Sequence, residues 1–383
     1  MPAATTISSA VSSASASAIS SSPLKRLAIA AAVASGLLAG AGAQAGTVAY
    51  VSNADSQDIY VLQLNMQDGS LGLLDKVATG STVMPLAISP DRKFLYASLR
   101  AQPFSVASYA IDAVSGKLKM LSTVPLADNM ANLATDKTGR YLFAASYTGH
   151  KISVNAIGAD GTVQTPPLSV IPTGKNAHAI GSDPANAYVF ASNLGSDVIL
   201  QYRFDVATGK LTPNDPPSVS TKAGAGPRHF VFARDRRFVY STNELDGTVN
   251  TYEYDAARGT FKLLATDSAL PDDFRSSEQL ATADLHLTPD GRFLYVSERT
   301  SSTLSGYRVD AASGRLTRIF NNPTETQPRG FNIDPQGKYL LAVGQKSNAL
   351  TSYAINPDNG MLSVLYRYTL GKNPNWVEII DLP

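Results

Sequence analysis

From residue 47 to the C-terminus the chain repeats one pattern. Its best-formed copy, Pro85 to Leu121, reads PLAISPDRKFLYASLRAQPFSVASYAIDAVSGKLKML. An apolar run meets a Ser-Pro-Asp turn, and a second run, FLYAS, follows. A third, VASYAID, alternates apolar and polar residues as a half-buried strand does. The turn AVSGK leads into a fourth, LKML. Similar turns recur as DVATGK, DAARGT, DAASGR and NPDNGM, where glycine supplies the positive φ of a hairpin. Taking the centre of each second run as an anchor gives Tyr50, Tyr96, Phe143, Phe190, Tyr240, Tyr295 and Leu341, with steps of 46, 47, 47, 50, 55 and 46 residues. Four short strands in a unit of this length are the signature of a β-propeller blade. Seven anchors predict an all-β, seven-bladed propeller with four antiparallel strands per blade.

Blade one has no first strand of its own after Gly46. The tail NPNWVEIIDL, Asn373 to Leu382, has the pattern of that missing strand. It is expected to close the ring beside the N-terminal strands and leave no open edge. The 28 glycines, 22 prolines and 17 tyrosines suit a chain of many strands and turns. Charged residues make up 16% and the net charge is +1, so the basic stripe of a nucleic-acid partner is missing. With no cysteine, disulfides and thiolate metal sites are excluded.

Residues 1–45 stand apart. Residues 1–24 are mostly Ala, Ser and Thr, a composition that builds no core. Lys25 and Arg26 then precede an apolar stretch, Leu27 to Leu38, and Ala43-Gln44-Ala45 forms an A-x-A cleavage site. This reads as a secretory signal peptide. The expected organisation is a leader over 1–45 and a propeller over 46–383. The mature protein is expected to be periplasmic or secreted, with no membrane attachment after cleavage; the alternative is cytoplasmic.

The register of the repeat places side chains. Twelve residues before each anchor a blade's first strand begins, and four residues after it the second ends. The two strands are antiparallel, so both positions lie on one face of the ring. The first set reads Met84, Ala131, His178, Arg228, Ala283 and Arg329; the second reads Ala54, Arg100, Tyr147, Leu194, Glu244, Arg299 and Gln345. The hairpin of blade five sets Arg228 directly opposite Glu244, as an ion pair at the rim. The central funnel of a propeller is its largest concavity and the default site. By strand parity His229 and His286 point away from it, towards a neighbouring blade, as hydrogen-bonded core histidines. His150 lies in a loop. One inward histidine and one inward carboxylate make a poor metal site, so neither metal nor cofactor is expected.

The stretches GAGPRHFVF, NELDGTV, ADLHLTPDGRFLYVSERT and TETQPRGFNIDPQGKYLLAVGQKS resemble the bacterial 6-phosphogluconolactonases of the seven-bladed propeller type, a family that also holds fungal muconate-lactonizing enzymes. The resemblance covers residues 47 to 381. It implies a metal-free lactone hydrolase acting on 6-phospho-glucono-1,5-lactone in the pentose phosphate pathway. The protein is expected to be a monomer whose partner is a small sugar lactone. The family's proposed functional residues match His178 in KNAHAI, Arg228 in GPRH, Glu244 in TNEL and Arg299 in SERT, which the repeat register had placed on one face. Either Glu244 or His178 is the base. Arg228 and Arg299 face the oxyanion, and Arg329, Arg100 or Gln345 holds the substrate. The best-known bacterial members lack a signal peptide, so for an exported chain the alternative is a periplasmic hydrolase of unphosphorylated aldonolactones. A non-catalytic, ligand- or protein-binding propeller is the remaining alternative.

Overall fold

The structure is a computed structural model and describes residues 46–383; the signal-peptide expectation for 1–45 lies outside the described residues. Twenty-eight strands form seven separate four-stranded antiparallel sheets, with one 3-10 turn, Leu194–Ser196, as the sole helical element among the described residues. The seven-bladed expectation holds. The closing strand, Pro374–Asp381, pairs antiparallel with Thr47–Asn53, from Thr47 opposite Asp381 to Asn53 opposite Pro374. The first blade is therefore built from both ends of the described chain.

The turn glycines explain how blades register on one another. Gly116, in the last hairpin of blade two, lies against Val48 of blade one, and its carbonyl accepts the Tyr50 hydroxyl at 2.8 Å. Gly314 of blade six lies against Phe238 and accepts the Tyr240 hydroxyl at 2.9 Å in the same way. Tyr50 and Tyr240 are fully buried. These anchors are therefore both core and clamp: each fills the gap between two sheets and satisfies its hydroxyl on the neighbour.

The innermost strands line the axis. Each carries a register shift one or two residues after its start, at Met84–Pro85, Ala131, His178, Arg228–His229, Ala283–Asp284 and Arg329, and at Asn375 in the closing strand. A β-bulge inserts an unpaired residue, bends the strand and re-aims its side chain. Repeated seven times, it turns one ring of residues at the mouth of the channel.

Candidate active site

Arg228 and Glu244 meet as expected, but not by direct cross-strand pairing. The ladder pairs Pro227 with Asn243 and next Phe230 with Ser241, so Arg228 and His229 form the bulge. Glu244 lies just past its strand, its N–H donating to Gly226 O at 2.7 Å and its carbonyl accepting from Thr282 N at 3.1 Å. Its Oε2 is 2.7 Å from Arg228 Nε and its Oε1 is 2.9 Å from Arg299 Nη2. The Arg228 contact is short, yet its N–H is not aimed along it, so it is an ion pair rather than a linear hydrogen bond. Arg228 is completely buried, and its Nη1 donates to Ala283 O at 2.7 Å while Nη2 has no partner. Arg299 Nε donates to Ala281 O at 3.0 Å. Burial would raise the Glu244 carboxyl, but Arg228, Arg299 and Arg329 together hold it below the ordinary glutamate value.

Arg329 lies within the field of Arg228, Arg299 and Glu244, with a buried Nε that has no partner. Burial, and then the neighbouring arginines, press its guanidinium well below the usual value. Arg100 is tied sideways: its Nε donates to Asn129 Oδ1 and its Nη1 contacts Met84 Sδ at 2.8 Å. Gln345 turns its amide to Asn373 Oδ1 at 2.8 Å. The structure thus clusters Arg228, Glu244, Arg299 and Arg329 and leaves Arg100 and Gln345 engaged at the rim.

His178 is 3% exposed, and its Nδ1 is buried without a partner. Its ring packs edge-on against Tyr147 at 5.9 Å and against His229 at 5.2 Å between centroids. Burial first, then Arg228, His229 and the other arginines, push its imidazole well below the ordinary histidine value, so it is neutral near pH 7.

His229 corrects the parity argument. Its ring lies 5.5 Å from that of Trp376 in blade one, a contact that only an axis-facing side chain can make. The bulge adds a residue to the strand and reverses the alternation beyond it. Its hydrogen bond, to Asp284 Oδ1 at 2.8 Å, is as expected for a buried histidine. His286 likewise reaches Asp284 Oδ2 at 3.3 Å, while its ring packs against Phe331 of the neighbouring blade at 5.0 Å. These side chains, with Asn132, Trp376 and Glu378, line an axial cavity of about 440 Å³ below the arginine layer; none of the arginines lines it. Asp284 and Trp376 escaped the sequence reading. Asp284 follows the register position Ala283, and only the bulge brings it onto the axis.

The chain's relatives bear on this site. The description "Lactonase, 7-bladed beta-propeller" fits residues 45–379. A 6-phosphogluconolactonase of Pectobacterium carotovorum is 42% identical over 335 residues, covering 88% of this chain and 99% of its own. One from Serratia proteamaculans is 40% identical, covering 87% and 98%. The solved periplasmic gluconolactonase of Pseudomonas aeruginosa superposes with a TM-score of 0.81 at 30% identity, over 88% of this chain and all of its own. With a propeller of seven blades and relatives of this identity over nearly their whole length, the chain belongs to the seven-bladed β-propeller lactonase family.

Proposed function

We infer that this chain hydrolyses a sugar δ-lactone, 6-phospho-glucono-1,5-lactone, to the open-chain acid. One observation carries the reading. At the axial mouth a carboxylate holds two guanidinium groups beside a buried, neutral imidazole, and two buried arginine nitrogens, Arg228 Nη2 and Arg329 Nε, have donors to spare. Both Glu244 oxygens are occupied, so this carboxylate serves as the tether of Arg228 and Arg299, and His178 is the general base. Water attacks the lactone carbonyl as its proton passes to His178. The carbonyl oxygen, now negative, is stabilised by the Arg228 and Arg299 guanidinium groups, which leaves the spare Arg329 Nε donor for a substituent of the substrate. The ring C–O bond then breaks, the leaving alkoxide takes the proton from His178, and the acid product ionises to solvent. One water is consumed and His178 returns neutral.

Arg329 adds more cation than one oxyanion requires, which supports an anionic substituent on the substrate, as the names of the Pectobacterium and Serratia relatives suggest. A charge-assisted bond to phosphate contributes about 1.5–3 kcal/mol. The phosphorylated lactone is therefore expected to exceed plain gluconolactone in kcat/KM by roughly ten- to a hundredfold. Arg329→Ala is expected to erase that preference while sparing the plain lactone. Equal turnover of both by the wild type would favour the second reading, a hydrolase of unphosphorylated aldonolactones. The Pseudomonas neighbour, named a periplasmic gluconolactonase, supports that one. Export belongs to either reading. No helix among the described residues is long and apolar enough to cross a membrane, and sequencing the protein from its native cell is expected to find Gly46 first.

A further inference from the structure

We propose that the far half of the axial channel is a second binding site, separate from the arginine layer, that takes a neutral pyranose sugar stacked on Trp376.

The position of the cavity sets it apart. Its volume, about 440 Å³, falls within the roughly 300–1,000 Å³ of small-molecule sites, and none of the arginines of the mouth lines it. The innermost strands begin at the arginine face. The cavity wall runs the other way, to Lys137 and Pro184, which lie in the turns after Met130–Thr135 and Ala177–Ser182. It is therefore reached from the opposite face of the ring.

The wall has unspent chemistry. Asn132 uses Oδ1 to accept from Ile180 N at 3.1 Å, His286 uses Nε2 on Asp284 at 3.3 Å, and Glu378 uses Oε1 to accept from Trp376 Nε1 at 2.8 Å. The remaining atoms, Asn132 Nδ2, His286 Nδ1 and Glu378 Oε2, have no hydrogen-bond partner among the described residues, and all three stay open to solvent. Trp376 is only half-buried although it sits on the axis. Its indole leaves apolar surface at the centre of the molecule that a flat C–H face would cover. A pyranose has such a face, and its ring of hydroxyls both donates and accepts, which suits an amide, a carboxyl group and an imidazole placed around it. A wholly apolar ligand would strand those three polar atoms. An anion would pass Lys137 only to meet the Asp284 and Glu378 carboxyl groups.

Because Trp376 is the sole tryptophan, its emission reports this cavity. Titrating the full protein with D-glucose is expected to give a saturable shift in the millimolar range. Sorbitol, the open-chain hexitol without a ring face, is expected to give none at equal concentration. Gly181 lines the cavity, needs no positive φ, and a Cβ there would meet only the Phe230 ring, at 3.8 Å. Gly181→Leu is therefore expected to fill the site, weakening glucose by roughly tenfold or more and leaving lactone opening unchanged. Trp376→Leu, read by saturation-transfer NMR of the sugar, is expected to lose the glucose signal, which keeps the idea testable if the leucine at 181 prevents folding. A wild type that shows no saturable shift, or a shift that survives Gly181→Leu, overturns the proposal. So does glucose that inhibits gluconolactone opening at the concentration that half-saturates the shift, since it is then bound at the arginine layer. In a protein that opens no lactone the titrations decide by themselves.

Discussion

Glu244 shows how one side chain serves structure and chemistry together. It neutralises Arg228, which has no exposed surface, and it anchors Arg299. Removing one partner of a buried pair leaves the other charge stranded. Glu244→Gln is expected to cost roughly 3 kcal/mol by denaturant titration. It is also expected to lower kcat by about 10²–10³-fold, because the oxyanion donors lose their aim. Its pH profile is expected to keep the wild-type acid limb; a limb that vanishes with Glu244 would make that carboxylate the base. In the wild type, the depressed His178 means the base stays unprotonated well below its ordinary value of 6.5. kcat/KM is therefore expected to stay level from pH 7.5 down to about 6, and an inflection at or above 6.5 would remove His178 from the mechanism. Glu378 works in the opposite sense. Burial pushes its carboxyl up to about 7 from 4.5, although Trp376 Nε1 donates to it at 2.8 Å. Between those values the folded protein holds more protons than the unfolded chain, so this group's contribution to stability falls as pH rises through the window. Glu378→Gln is expected to flatten the loss of Tm between pH 5 and 8, by the equivalent of roughly 1–3 kcal/mol at the upper end.

At the level of strands and turns, the hairpin glycines are the sharpest constraint. Gly314 has φ of 70°, and a Cβ there would lie 2.5 Å from Phe238 Cδ1. Gly314→Ala combines a strained backbone with a clash against a core ring. It is expected to lower stability by about 2–3 kcal/mol while leaving kcat unchanged in the folded fraction. Such turns were legible in the sequence because positive φ demands particular residue types. The bulges were not. A skipped ladder bond demands none: the shifted positions hold Met84, Ala131, His178, Arg228, Ala283, Arg329 and Asn375 alike. Counting residues therefore found the ring of side chains at the mouth, yet assigned His229 to the wrong side of its strand and passed over Asp284. Parity reads a strand correctly only where the ladder is unbroken.

For the molecule as a whole, blade number and ring closure followed from spacing, because seven sheets of one size leave few other arrangements. Closure also joins blades. Asn375 in the closing strand donates to Val83 O of blade two at 3.4 Å and to Ser52 O of blade one at 3.3 Å. Removing residues 374–383 would leave Thr47–Asn53 with an unpaired edge and break this junction. Such a truncation is expected to elute as aggregate on size exclusion; a monodisperse, cooperatively melting product would refute the closure argument. The position of the strand has an optical consequence as well. Trp376 is the chain's sole tryptophan, and it sits on this last strand among His229, Glu378 and the walls of the axial cavity. Its emission is expected to shift when the final residues of the chain dock and bring the indole against His229 of blade five at the axis. In a refolding experiment, excitation selective for tryptophan over the 17 tyrosines is thus expected to time the closure of the ring.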